Sequence, residues 1–464
     1  MKEKILTIES ISPKGHGIGV SDEIPNKKVE IAHTVIGDKA KVLLTSRNRK
    51  GRLLEVVTPS EDRVDTRCTH ASICGGCTLQ QVKYEKQLEI KELFIQKAFG
   101  SQLLEQSTEL YPILPCEFPW QYRNKMEFSF RQNKAETKYL GLMIAQANSF
   151  VFNLTTCHLA KPWVSSVVNA VRDYWEKSTI EAYDPPNNSG TLRTLTLRHA
   201  VATDEKMVIL TVSGSPEYAL TKTQLKEFVD VIKDTLTDHD KLSIFLRVQQ
   251  AQKGKPTQFY EMNLFGKDHI QEKLTLHFEK PLTLSFLVSP TSFFQPNSKQ
   301  AEHLYTLAIK MAGIDKEDTI FDLYAGTGTL GIAAAPYAKK VVSIELNRYA
   351  VYDAKQNAEI NNIDNVDFHQ GDVKEVLAQL KQDKEFKAPD VVIVDPPRAG
   401  LDEGAITELL SLNPKKIVYI SCNPISQARD SESLIKGGYS LSKMQPVDQF
   451  PHTAHIENIA LFVR

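Results

Sequence analysis

The stretch Asp322-Leu323-Tyr324-Ala325-Gly326-Thr327-Gly328-Thr329-Leu330 decides the fold. The run Thr319-Ile320-Phe321-Asp322-Leu323 has the length and branched content of a buried strand. Two glycines one residue apart follow it, so the backbone can turn tightly and let a ligand come close before a helix begins. Working outward, further strand candidates are Lys340-Val341-Val342-Ser343-Ile344-Glu345, Val366-Asp367-Phe368, Val391-Val392-Ile393-Val394-Asp395, Lys416-Ile417-Val418-Tyr419-Ile420-Ser421 and Ile459-Ala460-Leu461-Phe462-Val463. Helical patterns lie between most of them, for example Tyr349 to Asn361. Strands alternating with helices imply a parallel sheet, so residues 281–464 read as a doubly wound α/β domain.

The rest of the 464 residues reads differently. Residues 1–59 hold eleven Lys/Arg and seven Asp/Glu, about +4, although the whole chain carries a formal charge of only −1. Short period-two runs separated by turns predict a small β-barrel there, with a basic hairpin tip, Ser46-Arg47-Asn48-Arg49-Lys50-Gly51-Arg52. Such a tip on a barrel joined to an enzyme suits an RNA grip. Residues 60–280 read as a mixed central domain. It has a helix from Tyr84 to Phe99 with Leu88, Phe94, Ile95 and Ala98 as its apolar stripe, then alternating strands of an antiparallel sheet wet on one face. With 41% hydrophobic and 24% charged residues the composition is that of a globular chain. No apolar run approaches the ~20 residues of a membrane helix, and no secretory h-region opens the chain, so a cytoplasmic protein is expected.

Several short motifs carry chemistry. Glu345 ends the strand after the glycine turn, twenty-three residues beyond Asp322, where a carboxylate can hold both hydroxyls of a ribose. Taken as a two-glycine turn, the loop favours S-adenosylmethionine over a nicotinamide cofactor. Asp395-Pro396-Pro397-Arg398 follows the fourth strand at its carboxyl end, where open α/β sheets bind ligands. It is similar to the motif of methyltransferases that set a planar base beside a methyl donor. Ser421-Cys422-Asn423-Pro424 puts a thiol at the end of the fifth strand, and thiolates are strong nucleophiles. Glu457 precedes the last strand and can supply a base. Cys68, Cys74 and Cys77 form a C-x5-C-x2-C loop, with Cys157 as a remote fourth. Four thiolates suit zinc or a 4Fe-4S cluster, and three clustered cysteines plus one distant favour the cluster.

Taken together, the chain resembles the bacterial S-adenosylmethionine-dependent RNA uracil-5-methyltransferases, in the branch acting on 23S ribosomal RNA. The resemblance rests on Gly15-His16-Gly17, the four cysteines, Tyr122-Arg123-Asn124-Lys125, Phe293-Phe294-Gln295-Pro296-Asn297, the glycine turn, Asp-Pro-Pro-Arg, Ser-Cys-Asn-Pro and His455-Ile456-Glu457. It implies a Rossmann-like methyltransferase domain at 281–464, a TRAM- or OB-like RNA-binding barrel at 1–59 and a central domain, 60–280, carrying a 4Fe-4S cluster. It further implies that Gln295, Tyr324, Glu345 and Asp395 bind the methyl donor, that Cys422 is the nucleophile and that Glu457 is the base. Cys68, Cys74, Cys77 and Cys157 would ligate the cluster, and Asp372 would hold the adenine. Ala325 stands where relatives carry Cys or Ser, which puts one polar contact to the cofactor in doubt.

The chemistry accounts for these residue types. Carbon 5 of uracil is a weak nucleophile until a thiolate adds to carbon 6, and a base must later remove the carbon 5 proton. The target uridine must leave its stack, so the partner is a flipped base in a loop or single strand of 23S ribosomal RNA. Arg123, Lys125, Arg193 and Arg198 are further candidates for the RNA backbone. A monomer is expected. Three rivals are a non-catalytic ribosome-assembly factor, an amino-methyltransferase, and a uridine methyltransferase acting on transfer RNA. The last is disfavoured because that branch, by the resemblance, lacks the barrel and the cluster.

Overall fold

The computed structural model describes residues 3–20, 28–44, 49–145, 147, 150–251, 254, 257–384 and 386–464. Ser46, Arg47 and Asn48 of the basic tip lie outside them. Five strands, β1 (Glu3–Ile11), β2 (Gly17–Val20), β3 (Val29–Ile31), β4 (Lys39–Leu44) and β5 (Lys50–Thr58), close into a barrel in the order β1-β2-β3-β5-β4. Period-two patterning fills its interior, with Leu6, Ile8, Val29, Ile31, Ala40, Val42 and Leu44 all buried. The predicted tip cations Arg49, Lys50 and Arg52 are exposed. At the barrel's foot, Asp38 is fully buried, accepts from the Val35 and Ser60 amides at 2.7 and 2.9 Å, and pairs with Arg63 at 2.5 Å.

A second core joins the barrel to the helix Tyr84–Phe99 and to a residue near the carboxyl end. Ile11 and Val35 pack with Leu79, Val82, Ile90 and Ala454, so both ends of the chain contribute. The helix forms as predicted, but its inward face is Gln87, Ile90, Lys91, Ile95 and Phe99. The expected stripe is thus only partly right: two polar residues lie in the buried row and Leu88 stands at its margin. A short strand β6 (Glu109–Leu110) comes after it.

The central sheet holds β7 (Lys125–Gln132), β8 (Lys138–Met143), β9 (Val151–Asn153), β10 (Leu192–His199), β11 (Lys206–Ser213), β12 (Leu242–Gln250) and β13 (Gln258–Phe265), ordered β13-β12-β11-β10-β7-β8-β9. Helix Pro162–Lys177 lies on one face, with Phe130 edge-on to Trp175 at 5.0 Å between ring centres. The expected antiparallel sheet with one wet face is modified twice. β11 and β12 pair in parallel, and Leu195–His199 of β10 and Met207–Ser213 of β11 are buried throughout. The second face is roofed by the 290–297 segment, whose Ser292 and Pro290 carbonyls accept from Arg198 at 2.5 Å and Arg247 at 2.7 Å. A hairpin of β14 (Ile270–Leu276) and β15 (Leu282–Val288) comes next.

The last sheet contains β16 (Thr319–Leu323), β17 (Lys340–Glu345), β18 (Val366–Gln370), β19 (Val391–Val394), β20 (Lys416–Ser421), β21 (Ser440–Val447) and β22 (Glu457–Val463). Its order is β18-β17-β16-β19-β20-β22-β21-β6. β16 to β20 pair in parallel, with helices between them, as the strand–helix rhythm predicts. β16 stands between β17 and β19, so the strand order reverses there and opens a crevice at the carboxyl ends. The chain forms two compact units. One comprises Met1–Pro119, Pro397–Gly400 and Ile420–Phe462; the other comprises Trp120–Pro396, Leu401–Tyr419 and Val463–Arg464. No helix among the described residues is long and apolar enough to cross a membrane.

Candidate active site

In the second unit, the carboxyl ends of β16, β17 and β19 bring three predicted residues together. Tyr324 leaves β16 with a left-handed φ of 63°, and the turn continues through Gly326 and Gly328, with φ of 57° and 75°. A side chain at Gly326 would meet nothing within 4 Å, so the turn fronts open space. Glu345 braces it: one carboxylate oxygen accepts from the Gly326 amide at 2.9 Å and the other from Asn347 at 2.7 Å. Asp395 directly follows β19, and its amide donates to the Leu323 carbonyl at 3.4 Å. Gln295 is buried on the 290–297 segment, with its carbonyl held by the Asn124 side chain at 2.8 Å. Asp372 is exposed and caps the helix Val373–Leu380 through the Lys374 amide at 3.0 Å. Ala325 donates its amide to Ile344 at 3.0 Å.

Asp322 and Gly331 also shape this turn, and neither is assigned a role from sequence alone. Gly331 completes a Gly-x-Gly-x-x-Gly, a third glycine that the reading of a two-glycine turn misses. Its amide donates to Asp322 Oδ2 at 2.9 Å, and a Cβ there would sit 2.6 Å from both that oxygen and Ser343 Oγ. The preference for S-adenosylmethionine therefore cannot rest on the glycine count.

The electrostatics suit a cationic ligand. Burial pushes the Asp395 carboxyl up to about 7. Burial also pushes Asp322 up to about 7 against the opposing Gly331 amide, helped by the charges of Asp395 and Glu345. A positively charged sulfonium beside these carboxyls would favour their ionised forms. In the free protein the folded state holds protons that the unfolded chain has already released above about pH 4. These two groups therefore contribute stability that is fully present below the unfolded value and is lost as pH rises to about 7. Melting curves across that window should show a falling contribution, and Asp322→Asn should flatten it; an unchanged profile in the variant would contradict the assignment.

In the first unit, Cys422 is half-buried at the carboxyl end of β20, directly before Asn423, the N-cap of helix Pro424–Lys436. The Asn423 side chain donates to the Arg398 carbonyl at 2.9 Å, and Ser426 does so at 3.1 Å. The loop after Asp-Pro-Pro is thereby fastened to the turn that carries the thiol. Glu457 opens β22 and is buried. Its neighbour Asn458 exchanges two hydrogen bonds with Gln427 on the helix behind Cys422: Asn458 Nδ2 donates to Gln427 Oε1 at 2.7 Å, and Gln427 Nε2 donates to the Asn458 carbonyl at 3.3 Å. Both side chains are fully buried, and periodicity offers no signal for them.

Other predicted groups fall differently. Arg198 is buried against the Ser292 carbonyl and serves the fold, not an RNA surface. Arg193 lies over the Tyr183 ring at 3.4 Å. The Arg123 Nε donates to the Lys125 carbonyl at 3.3 Å, and burial, reinforced by Arg198, pushes Lys125 down to about 8. The cysteine loop is ordered by its own backbone: the Cys74 amide donates to His70 at 2.8 Å, the Cys68 amide to Gln80 Oε1 at 2.9 Å, and the Gly76 amide to Cys74 Sγ at 3.4 Å. Cys157 donates its amide to Ser165 at 3.0 Å. Among the described residues, no group of three or more His, Cys, Asp and Glu side chains is disposed to hold a metal ion.

A doubly wound sheet, a glycine turn braced by an acid on the next strand and an acidic crevice define an α/β domain built to bind an adenosine cofactor, and the relatives make it a methyltransferase. The family model for tRNA (uracil-5-)-methyltransferases matches residues 233–464. An uncharacterized RNA methyltransferase of Protochlamydia amoebophila is 47% identical over 441 residues, 93% of this chain and 99% of its own. One from Clostridium tetani is 34% identical over 99% of this chain and 97% of its own. Among solved structures, the Pyrococcus abyssi tRNA (uracil-54, C5)-methyltransferase in complex with S-adenosyl-L-homocysteine is similar over 99% of both chains, at 26% identity and a TM-score of 0.73. The chain belongs to the S-adenosylmethionine-dependent RNA uracil-5-methyltransferase family.

Proposed function

We propose that the protein transfers a methyl group to carbon 5 of a uridine in 23S ribosomal RNA through a covalent adduct, with Cys422 as nucleophile and Glu457 as base. The observation that carries this reading is the Gln427–Asn458 pair, which ties the helix behind the thiol to the strand that begins with the carboxylate. S-adenosylmethionine supplies an electrophilic methyl on a sulfonium, and Tyr324, Glu345, Asp395 and Gln295 are the residues to hold it. The Cys422 thiolate adds to carbon 6, and the electron pair released into the ring makes carbon 5 nucleophilic enough to take the methyl. Glu457 then accepts the carbon 5 proton, the carbon–sulfur bond breaks, and the thiolate leaves. A sulfur anion before a helix also meets the positive end of that helix.

The ribosomal target follows the resemblance of the whole motif set. Transfer RNA is a second reading, favoured by the likeness to the Pyrococcus enzyme. Incubation of unmodified 23S ribosomal RNA and transfer RNA with labelled S-adenosylmethionine, followed by nucleoside analysis, separates them. We expect labelled 5-methyluridine in the ribosomal RNA. Label in transfer RNA alone would shift the substrate, and label on an amino group, or none, would overturn the reading.

The barrel is proposed as an RNA grip. Because Ile11 and Val35 share a core with Ala454, removing residues 1–59 would disturb more than binding. Replacing the exposed Arg49, Lys50 and Arg52 by alanine is the cleaner test. Binding titrations at several salt concentrations should show the slope of log affinity against log salt reduced by about one to three, since each lost phosphate contact removes ~0.7–0.9. Equal slopes would return the tip to a solvated turn.

The C-x5-C-x2-C spacing alone supports a 4Fe-4S cluster held by Cys68, Cys74, Cys77 and Cys157. No step of the reaction uses it. Protein purified without oxygen should then be brown, with about four irons per chain. A colourless, iron-free preparation of active enzyme would remove the cluster from this reading.

A further inference from the structure

The segment before Glu457 is irregular, yet it is pinned at alternate residues to one face of the helix Tyr84–Phe99. Lys91 and Asp448 are both fully buried, and Lys91 Nζ lies 2.5 Å from Asp448 Oδ1. The same ammonium donates to the Phe450 carbonyl at 3.0 Å. The Tyr84 hydroxyl donates to Asp448 Oδ2 at 2.7 Å and itself accepts from the Cys116 amide at 2.7 Å. Two residues further on, the His452 amide donates to Gln87 Oε1 at 2.9 Å, and the His452 carbonyl accepts from Leu79 at 3.0 Å. Tyr84, Gln87 and Lys91 recur at helical spacing, so one row of side chains holds residues 448, 450 and 452. His452 is kept at a left-handed φ of 66°, a conformation a bulky residue adopts only when its surroundings impose it. Burial pushes its imidazole down to about 4, so the ring is uncharged at neutral pH.

We propose that Lys91 and Asp448 are positioning residues for the proton-abstraction step: their buried ion pair fixes the 448–456 segment and so sets where Glu457 presents its carboxylate. This rests on the reading of Glu457 as the base. A buried ion pair adds little net stability compared with an apolar pair of the same shape. What an apolar pair cannot supply is direction, namely an ammonium that grips both a carboxylate and the Phe450 carbonyl. Base catalysis requires that direction, because a displacement of about 1 Å can cost ~10²-fold.

The test uses the full-length protein, labelled S-adenosylmethionine and the RNA transcript that the wild-type protein methylates. The variants are Lys91→Met/Asp448→Leu, which removes the charges together, and Tyr84→Phe, which removes one hydrogen bond. The double variant should melt near the wild-type temperature, turn over about 10- to 100-fold more slowly, and accumulate a methylated protein–RNA adduct that survives denaturing gels. Tyr84→Phe should show the same adduct at a lower level. A folded double variant with wild-type turnover and no adduct would overturn the proposal. If the double variant melts early, Tyr84→Phe decides, and absence of adduct in it overturns the proposal as well. Glu457→Gln runs alongside: if it traps no adduct, the fault lies in the reading of Glu457 and not in its positioning.

Discussion

Replacing Cys422 by alanine is expected to abolish methylation, by about four orders of magnitude or more, while leaving S-adenosylmethionine binding nearly unchanged. The size comes from the role: without addition at carbon 6, carbon 5 of uracil has no means of attacking a methyl sulfonium, and loss of a covalent nucleophile is among the most damaging single changes an enzyme can suffer. Retained affinity reflects the division of labour. Tyr324, Gly326, Glu345 and Asp395 lie at the carboxyl ends of β16, β17 and β19, and Cys422 belongs to neither those strands nor their turns. Calorimetric titration together with a methyl-transfer assay on one preparation checks both halves. Measurable turnover in the variant would exclude the covalent route.

Glu457→Gln is expected to stop the reaction one step later. Methyl transfer proceeds, the carbon 5 proton stays, and the protein remains bonded to methylated RNA through Cys422. Turnover should fall by about 10²–10⁴-fold, the usual range for a positioned base. A labelled band that resists denaturation should appear in proportion to enzyme. The substitution is nearly isosteric at a buried site, so the fold should persist, which the melting temperature verifies. A variant that is slow but forms no such band would mean that the base is another group.

Much of this molecule is legible in its sequence where the physics is local. The strand–helix rhythm after residue 281, the five short barrel strands and the helix from Tyr84 to Phe99 all derive from side-chain periodicity, which depends on near neighbours. Glu345, Asp395 and Cys422 stand out because functional groups collect at the carboxyl ends of parallel strands, and those ends can be read directly, whereas Tyr324 enters only through the family resemblance. The features that escape such reading are non-local. Lys91 interrupts an apolar row and looks like a surface residue until its partner, 357 positions away, is known. Gln427 and Asn458 exchange hydrogen bonds across 31 residues, and neither carries a periodic signal. Gly331 is a different case: its spacing is visible, but its reason, the Asp322 carboxylate and Ser343 hydroxyl occupying the space a Cβ would need, is not. The cysteines mark the opposite limit. Their spacing suggests a cluster, yet spacing in a chain does not specify where four sulfurs meet.

The discontinuity of the first compact unit has a consequence for how the protein is made. Its opening 119 residues share a core and a buried ion pair with residues 420–462. A ribosome adding ~5–20 residues per second needs roughly 20 to 70 s to pass from Lys91 to Asp448. Throughout that interval the lysine has no carboxylate to meet, and the underside of the barrel lacks Ala454 from its packing. The amino-terminal quarter therefore waits in an incomplete state for the last tenth of the chain, a long-range closure of the kind that slows folding and invites chaperone contact. Interrupted synthesis leaves no Glu457 and no anchored segment before it, so a truncated chain lacks the proposed base together with the segment that holds it.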